Sequence, residues 1–234
     1  MKILVIGPSW VGDMMMSQSL YRTLKAEYPS AEIDVMAPAW CRPLLARMPE
    51  VNQALAMPLG HGALGLGERR RLGRALRANR YDRAYVLPNS FKSALVPFFA
   101  DIPQRTGWRG EMRYGLLNDV RVLDKAAFPL MVQRYVALAY DKGRIQRADD
   151  LPQPLLWPQL QVSDEEIAAN TYYSAEMMRT NLAIGTANEV ITRLKKYEAL
   201  GYDEFALWID SGMSFARKKA SLERFIRCVM PEFH

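Results

Sequence analysis

The sequence predicts an α/β fold in which a Rossmann-like, doubly wound and mainly parallel sheet is followed by a separate helix–strand–helix unit. Three observations predict it. Apolar strand-like runs alternate with helix-like stretches over the first two-thirds of the chain, as in βαβ units. A proline-rich stretch interrupts this pattern from residue 149 onward. Beyond that stretch, two amphipathic helical patterns flank one short apolar run.

Strands are predicted where small, branched or aromatic apolar residues form short runs bounded by turn residues. The first, KILVIG, stops at Gly7 and Pro8. The run at 53–59 is weaker, and the two runs beyond residue 100 have the length of edge or loop strands. The predicted strands are 2–7, 31–38, 53–59, 82–89, 104–108 and 119–124.

Helices are predicted where apolar residues recur three or four positions apart. In 14–28, for example, Met15, Leu20, Leu24 and Tyr28 share a face. The last helix before the prolines is predicted to be long and to end at Gly143. The predicted helices of this part are 14–28, 40–48, 67–79, 90–100 and 129–143.

The same patterns predict three segments: a Rossmann-like domain over 1–148, a proline-rich connector and seam over 149–170, and a carboxyl-terminal segment over 171–234. The last of these contains a predicted helix at 187–200, a strand at 204–209 and a helix at 214–230. Val190, Leu194, Tyr197 and Leu200 are expected to form the apolar stripe of its first helix.

Composition favours a globular protein and argues against a membrane-spanning, secreted or zinc-binding one. Half of the residues are hydrophobic and the net charge is +6, which suits a globular protein with a sizeable core. Without an apolar run of bilayer length or a secretion signal, we expect a cytoplasmic protein with reduced thiols. The two cysteines and two histidines do not suggest a zinc site, so no metal is expected.

An arginine-rich run, ERRRLGRALRANRYDR, spans Glu68 to Arg83. It is either a solvated helix face or a patch that attracts an anionic partner, such as phosphate groups or an anionic membrane surface. No nucleic-acid-binding motif accompanies it, so no nucleic-acid partner is expected. The oligomeric state is left open.

Candidate site residues lie where predicted strands end, because ligands of doubly wound sheets bind beyond the carboxyl ends of the strands. Asp13 follows the first strand and is either the cap of a helix starting at Met14 or a carboxylate at the rim. For each of the other candidates, the alternative to ligand binding is ordinary packing or exposure to solvent. They are Ser9, Trp10, Asn89, Ser90, Lys92, Arg105, Arg109 and Arg113.

Four stretches of the first part carry a resemblance to a known family: MKILVIGPSWVGDMMMSQSLYRTL, DVMAPAWCRPLLARMPEV, YDRAYVLPNSFKSALVPFFA and RTGWRGEMRYGLLNDVRVLD. Residues 1 to about 163 resemble the lipopolysaccharide heptosyltransferases of type II in glycosyltransferase family 9. The resemblance implies the amino-terminal half of a GT-B fold, which holds the acceptor. It also implies inverting transfer of heptose from ADP-heptose to the lipopolysaccharide inner core, without a cofactor.

The resemblance assigns a role to Asp13, and side-chain chemistry gives each of the other rim residues a candidate contact with the acceptor. Asp13 becomes the general base that removes a proton from the acceptor hydroxyl. Ser9 and Trp10 become sugar contacts, and Lys92 becomes a charge for an acceptor phosphate or carboxylate. Asn89, Ser90 and the three arginines become further acceptor-binding residues, since guanidinium groups grip phosphorylated sugars with forked hydrogen bonds.

The carboxyl-terminal segment carries a different resemblance. NLAIGTANEVITRLKKYEALGYDEFALWIDSGMSFARKKASLERFIRCVMPEF resembles the end of luciferase-like, flavin-dependent monooxygenases, which are (β/α)₈ barrels. The two resemblances together imply a chimeric chain. Flavin binding is not expected, because most of such a barrel is not found in the sequence.

Two functional readings therefore stay open. One is a heptosyltransferase-like protein, expected to be incomplete because the family's donor-binding domain is not found. The alternative is a catalytically inactive chimera that keeps at most acceptor binding. A fragment of a flavin-dependent monooxygenase is a remote third. The protein is expected to be cytoplasmic, and peripheral association with the inner membrane face is part of this expectation.

Overall fold

The structure is a computed structural model of the chain and describes residues 1–59, 62–169, 185–201 and 215–233. The chain divides into two compact units, Met1–Gln161 and Val162–His234. The strands of the described part all belong to the first unit.

A six-stranded parallel sheet forms the centre of the first unit, with the strand order β3-β2-β1-β4-β5-β6. The order reverses between β1 and β4, and this reversal opens a crevice beyond the carboxyl ends of the strands. The prediction of a doubly wound, mainly parallel sheet is confirmed. The strands are β1 Lys2–Ile6, β2 Glu32–Ala37, β3 Val51–Ala56, β4 Arg83–Val86, β5 Gln104–Trp108 and β6 Asp119–Arg121.

Helices cover both faces of the sheet. Single 3₁₀ turns extend or connect several of them, including Ala39–Cys41, Phe91–Ala94 and Ala137–Ala139. The described helices are α1 Val11–Glu27, α2 Arg42–Leu45, α3 Leu66–Leu76, α4 Leu95–Phe99, α5 Met131–Val136, α6 Asp164–Ala169, α7 Ala187–Ala199 and α8 Phe215–Cys228.

The first strand shows how the sequence divides the core into two layers. Ile3 and Val5 are buried together with residues of α1 and α5, whereas Leu4 and Ile6 are buried together with residues of α4 on the opposite face. Successive side chains of a strand point to opposite faces, so a continuous apolar run serves both layers. Each such side chain stabilises the fold by about 1.5–3 kcal/mol relative to an exposed one.

The helix predicted over 129–143 is wrong in length. The α-helix ends at Val136, and a 3₁₀ turn follows up to Ala139. At Tyr140 the backbone is extended, with φ −95° and ψ 163°, and the side chain is buried. Gly143 therefore lies in a separate turn, where its positive φ of 86° suits a glycine.

The connector packs on the first unit as far as Gln161. The side-chain amide of Gln18 donates to the carbonyl of Gln159 (2.8 Å), and its oxygen accepts from the Gln159 N–H (2.9 Å). The Gln161 N–H donates to the carbonyl of Arg47 (2.8 Å). Leu151 is buried in the same core as α1, so this stretch is extended but anchored. Helix α6, which the extended-connector prediction did not include, follows at its end.

The second unit has a small core of its own. Val190, Leu194 and Val229 are buried together, and Phe225 packs against them. The start of α7 is a capping box, in which Thr186 Oγ1 accepts from the Glu189 N–H (3.4 Å) and Glu189 Oε2 accepts from the Thr186 N–H (2.7 Å). The predicted stripe is only half buried, because Leu200 is 73% exposed. The strand predicted at 204–209 lies outside the described residues.

Candidate functional site

A cavity of about 800 Å³ lies at the carboxyl ends of the central strands, within the first unit. The segments that follow β1, β2, β4 and β5 all contribute to its wall, as does α5. This is where a doubly wound sheet binds its ligands. Of the sequence-predicted site residues, the wall includes Ser9, Trp10, Asp13, Asn89, Ser90 and Lys92.

Asp13 occupies the first turn of α1, and the prediction that it caps a helix starting at Met14 is wrong. The helix begins at Val11, Trp10 is the residue that precedes it, and no side chain caps the end. The Met14 N–H already bonds to the Trp10 carbonyl (2.9 Å), which makes Asp13 part of the helix. Its half-buried carboxylate lines the cavity near the positive end of the helix dipole, a favourable place for negative charge.

Two tryptophans lie at the cavity wall with large exposed surfaces. Trp10 is 73% exposed and Trp40 is 59% exposed. The indole N–H of Trp40 donates to the carbonyl of Ser9 (2.9 Å), which fixes the ring against the loop after β1. Flat apolar faces with satisfied polar edges suit the apolar faces of sugar rings. Trp40 was not among the predicted site residues, although its position just after β2 could have suggested it.

The loop that carries Asn89, Ser90 and Lys92 is tied to the segment after β5. Glu111 Oε2 accepts from the Phe91 N–H (2.6 Å), and the Glu111 N–H donates to the Asn89 carbonyl (3.0 Å). Gly110 permits this approach, because a Cβ at that position would lie 2.1 Å from the Asn89 carbonyl oxygen. The loop is thus held in place by the segment that follows β5.

The three predicted acceptor-binding arginines are not brought into the cavity wall. Arg113 is buried behind the loop, where it donates to the carbonyls of Pro88 (2.5 Å) and Trp108 and to Ser93 Oγ (3.1 Å). Burial lowers the pKa of Arg113 to about 10, although the charge of nearby Glu111 opposes this. Arg113 therefore supports the loop instead of facing a ligand.

Arg105 and Arg109 have other surroundings. Arg105 donates to the carbonyls of Leu116 (2.6 Å) and Ile102 (2.5 Å) and lies over the ring of Phe98. Arg109 is exposed, and its backbone N–H bonds to the Arg121 carbonyl (2.5 Å). Acceptor binding by these side chains stays a prediction.

The wall also contains cations that the sequence analysis did not select. Arg69 donates to the carbonyls of Leu64 (2.7 Å) and Ala63 (3.3 Å), and its burial lowers its pKa. Arg134 donates to the carbonyls of Phe128 (2.8 Å) and Pro129 (3.1 Å). Both guanidinium groups are thus engaged in holding backbone.

Lys92 and Lys125 differ from these arginines. Both line the cavity, and neither side-chain ammonium group has a hydrogen bond or ion pair to any residue that the structure describes. Lys125 lies in the irregular segment between β6 and α5, where no sequence pattern marks it. Two lysines free to bind a ligand give the cavity a positive character suited to an acidic group.

Among the described residues, no group of three or more His, Cys, Asp or Glu side chains is placed to hold a metal ion. None of the helices described is both long enough and apolar enough to cross a membrane.

Comparisons with known proteins give two kinds of match. Over 166 residues, 71% of this chain, the sequence is 83% identical to lipopolysaccharide heptosyltransferase 2 of Escherichia coli K12, of which it covers 48%. A second match, 67% identical over 72 residues, is to the oxygenase component of a flavin-dependent trigonelline monooxygenase of Acinetobacter baylyi. It covers 31% of this chain and 20% of that protein.

A solved structure supports the fold. The structure of E. coli ADP-heptose lps heptosyltransferase II matches with a TM-score of 0.68 and 77% identity, over 72% of this chain and 49% of that one. The chain thus spans about half the length of the heptosyltransferases it matches, at 48% and 49%. The resemblances to both families, and to half of a GT-B fold, are confirmed.

The family model of glycosyltransferase family 9 (heptosyltransferase) matches residues 69–213. This range extends past the connector into the segment that also resembles the monooxygenases. It includes α3, β4, β5, β6 and α5 of the first unit. Because the match covers more than half of the chain, the chain belongs to glycosyltransferase family 9, the heptosyltransferase family.

Proposed function

We propose that the first unit is the acceptor-binding half of a lipopolysaccharide heptosyltransferase, with the lipopolysaccharide inner core as acceptor and ADP-heptose as donor. The observation that carries the proposal is the 83% identity to lipopolysaccharide heptosyltransferase 2 over 166 residues. The cavity adds chemical support, since it combines exposed indole faces, two lysines without protein partners and a carboxylate. Such a wall suits an acidic sugar.

In the proposed reaction, Asp13 is the general base. Its carboxylate takes the proton of the acceptor hydroxyl while that oxygen bonds to the anomeric carbon of heptose. The bond from that carbon to the β-phosphate oxygen of ADP breaks, and ADP leaves with the electron pair. Attack from the face opposite ADP inverts the anomeric centre. The position of Asp13 at the cavity wall is consistent with this role.

Acceptor binding tests the proposal directly. In titration calorimetry with an inner-core oligosaccharide, Lys92→Ala and Lys125→Ala are each expected to weaken binding by roughly tenfold or more, the loss of one charge-assisted hydrogen bond. Lys142→Ala is the matched control, because Lys142 is exposed and does not line the cavity. Equal affinities for all three variants, or no binding by the parent, would contradict the proposal.

Heptose transfer tests the role of Asp13. With ADP-heptose and the same acceptor, Asp13→Asn is expected to reduce turnover by about two to four orders of magnitude, the contribution of a general base. Acceptor affinity should stay within about twofold, because the isosteric amide keeps the shape of the wall. Transfer at parental rates by Asp13→Asn would exclude this residue as the base.

A second candidate function is acceptor binding without transfer by a chimeric chain. The 67% identity to a monooxygenase component over 72 residues favours it, because 31% of this chain then matches a protein of a different class. Acceptor binding without ADP-heptose binding would support this candidate, and turnover that depends on Asp13 would exclude it. A purified protein with flavin absorbance would instead favour the monooxygenase fragment.

We also infer a cytoplasmic location with peripheral contact to the anionic inner membrane face. The support is the arginine-rich helix α3 and its extension, where Arg70, Arg71, Arg74, Arg77 and Arg80 are exposed. Clustered arginines are attracted to anionic head groups, at about 1 kcal/mol for each residue near the surface. Co-sedimentation with vesicles with and without anionic lipid tests this contact.

A further inference from the structure

Tyr135 shares the cavity wall with Asp13 but has no role in the function proposed above. It lies on α5, which packs against α1, and its ring belongs to the core beneath the cavity. Only 6% of the residue is exposed. Helix α5 is itself fixed near this point, because the Trp108 indole N–H donates to the Arg134 carbonyl (3.1 Å).

The hydroxyl of Tyr135 has no hydrogen-bond partner among the described residues, although the rest of the side chain is packed. The neighbouring Tyr21 contrasts with it, since its hydroxyl pairs with Ser17 Oγ (2.8 Å). The Tyr135 hydroxyl is also absent from the buried polar atoms that lack a partner. The hydroxyl therefore reaches the cavity, and its O–H is available as a donor.

The negative charge of Asp13 influences the Tyr135 phenol. Burial raises the pKa of Tyr135, and the negative charge of Asp13 raises it further, so the phenol keeps its proton. The other acid in the wall, Glu111, already accepts a hydrogen bond from the Phe91 N–H (2.6 Å). Among the described residues, the other ionisable groups of the wall are the cations Arg69, Lys92, Lys125 and Arg134.

We propose that Tyr135 is a positioning residue for Asp13, whose carboxylate accepts a hydrogen bond from the Tyr135 hydroxyl, directly or through one water. The structure shows no direct hydrogen bond between the two, and a bridging water is nearly as favourable as direct contact. The bond fixes the carboxylate in the cavity, in position to take up the proton of the acceptor hydroxyl. The catalytic meaning of this contact rests on the proposed function, whereas the contact itself does not.

The contact is tested without any assay of transfer. The full chain carries tyrosine labelled with ¹³C at Cζ, and Tyr135→Phe assigns the signal. Near neutral pH, that signal is expected to move in Asp13→Asn, which removes the charge that acts on the phenol, and to keep its position in Glu111→Gln. A Tyr135 signal that is unchanged in Asp13→Asn, or that moves equally in both variants, overturns the proposal.

The kinetic test applies to the positioning role. Tyr135→Phe is expected to lower kcat for heptose transfer by about tenfold, with the acceptor KM within about twofold. Tyr140→Phe is the control, because Tyr140 is also buried but lies outside the cavity wall, facing Glu27 and Arg144.

A kcat in Tyr135→Phe equal to that of the parent, or an equal loss of kcat in Tyr140→Phe, overturns the positioning role. If the parent chain shows no transfer at all, the proposed function fails, and the labelled tyrosine still decides whether the contact exists. The two failures are therefore distinguishable.

Discussion

At the level of single residues, Asp119 and Arg121 form a nearly buried ion pair on β6. Asp119 Oδ2 accepts from Arg121 Nη2 (2.7 Å) and from Thr106 Oγ1 (2.9 Å), and Arg121 also donates to the Ala137 carbonyl (3.1 Å). Burial raises the pKa of Asp119, but the hydrogen bonds and charge of Arg121 lower it by more. The net pKa of Asp119 is below its ordinary value.

This pair predicts a pH-dependent stability. Because the folded-state pKa of Asp119 is depressed, its contribution is present above the unfolded value of about 3.8 and is lost as the pH falls through the folded value. Asp119→Asn is expected to lower the unfolding free energy by roughly 3 kcal/mol near neutral pH, where it leaves the Arg121 charge unpaired. The deficit should shrink below about pH 4.

Urea unfolding near pH 7 and near pH 3 measures both values. Asp141→Asn is the control, because Asp141 is exposed and its carboxylate makes no hydrogen bond to another described residue. An equal deficit at both pH values would contradict the prediction.

Positions in the cavity wall could be predicted from the sequence only for residues that follow a strand end, and the roles of these residues stay predictions. Asp13, Ser9 and Asn89 were found in this way, and the structure places them in the cavity wall. Lys125 and Tyr135 come from segments that no strand end marks. Arg113 was predicted as a site residue but is not in the cavity wall. Sequence alone does not distinguish an arginine that faces a ligand from one that donates to buried carbonyls.

At the level of elements, α3 and α4 approach each other closely at Gly73. A Cβ at this position would lie 2.5 Å from Phe99 Cβ and 2.7 Å from the Val96 carbonyl oxygen. Backbone and Cβ atoms cannot yield as a flexible side chain does. Gly73→Ala is therefore expected to lower the unfolding free energy by about 1–3 kcal/mol, the cost of overpacking.

The matched control lies on the same helix. A Cβ at Gly67 meets nothing within 4 Å, and Gly67→Ala is expected to be neutral or to stabilise the protein by up to about 1 kcal/mol. Thermal unfolding of both variants, followed by circular dichroism, measures the difference. Equal midpoints would show that α4 moves aside without cost.

The kind of each element in the first unit could be predicted from its periodicity, but some boundaries could not. The apolar pattern after Pro129 fits a helix as far as Gly143. The structure ends the helix earlier because Tyr140 is buried from an extended backbone. Burial in the folded protein sets such a helix boundary, and the periodicity of a single sequence does not reveal it.

At the level of the whole molecule, the first unit includes the connector as far as Gln161. A fragment of residues 1–161 keeps the pairing of Gln18 with Gln159 and the burial of Leu151. We expect this fragment to fold alone and to unfold cooperatively. A fragment of residues 1–148 loses these contacts and should unfold at a temperature lower by several degrees, since about 1 kcal/mol shifts the midpoint by 2–4 °C or more at this size.

Circular dichroism melts of the two fragments and of the full chain make the comparison. Identical midpoints for the two fragments would show that the connector adds nothing to the stability of the first unit. Failure of both fragments to fold would show that the unit depends on residues beyond Gln161.

The amide of Gln18 has a consequence for how new proteins arise. It imitates a peptide group, so the chain between Leu151 and Gln161 is fastened to the first unit although it belongs to no strand. A gene fusion made just after this fastening transmits little strain to the parallel sheet. Recombination at this point can replace the residues after Gln161 while the first unit stays intact. Other domains are best fused at the same point.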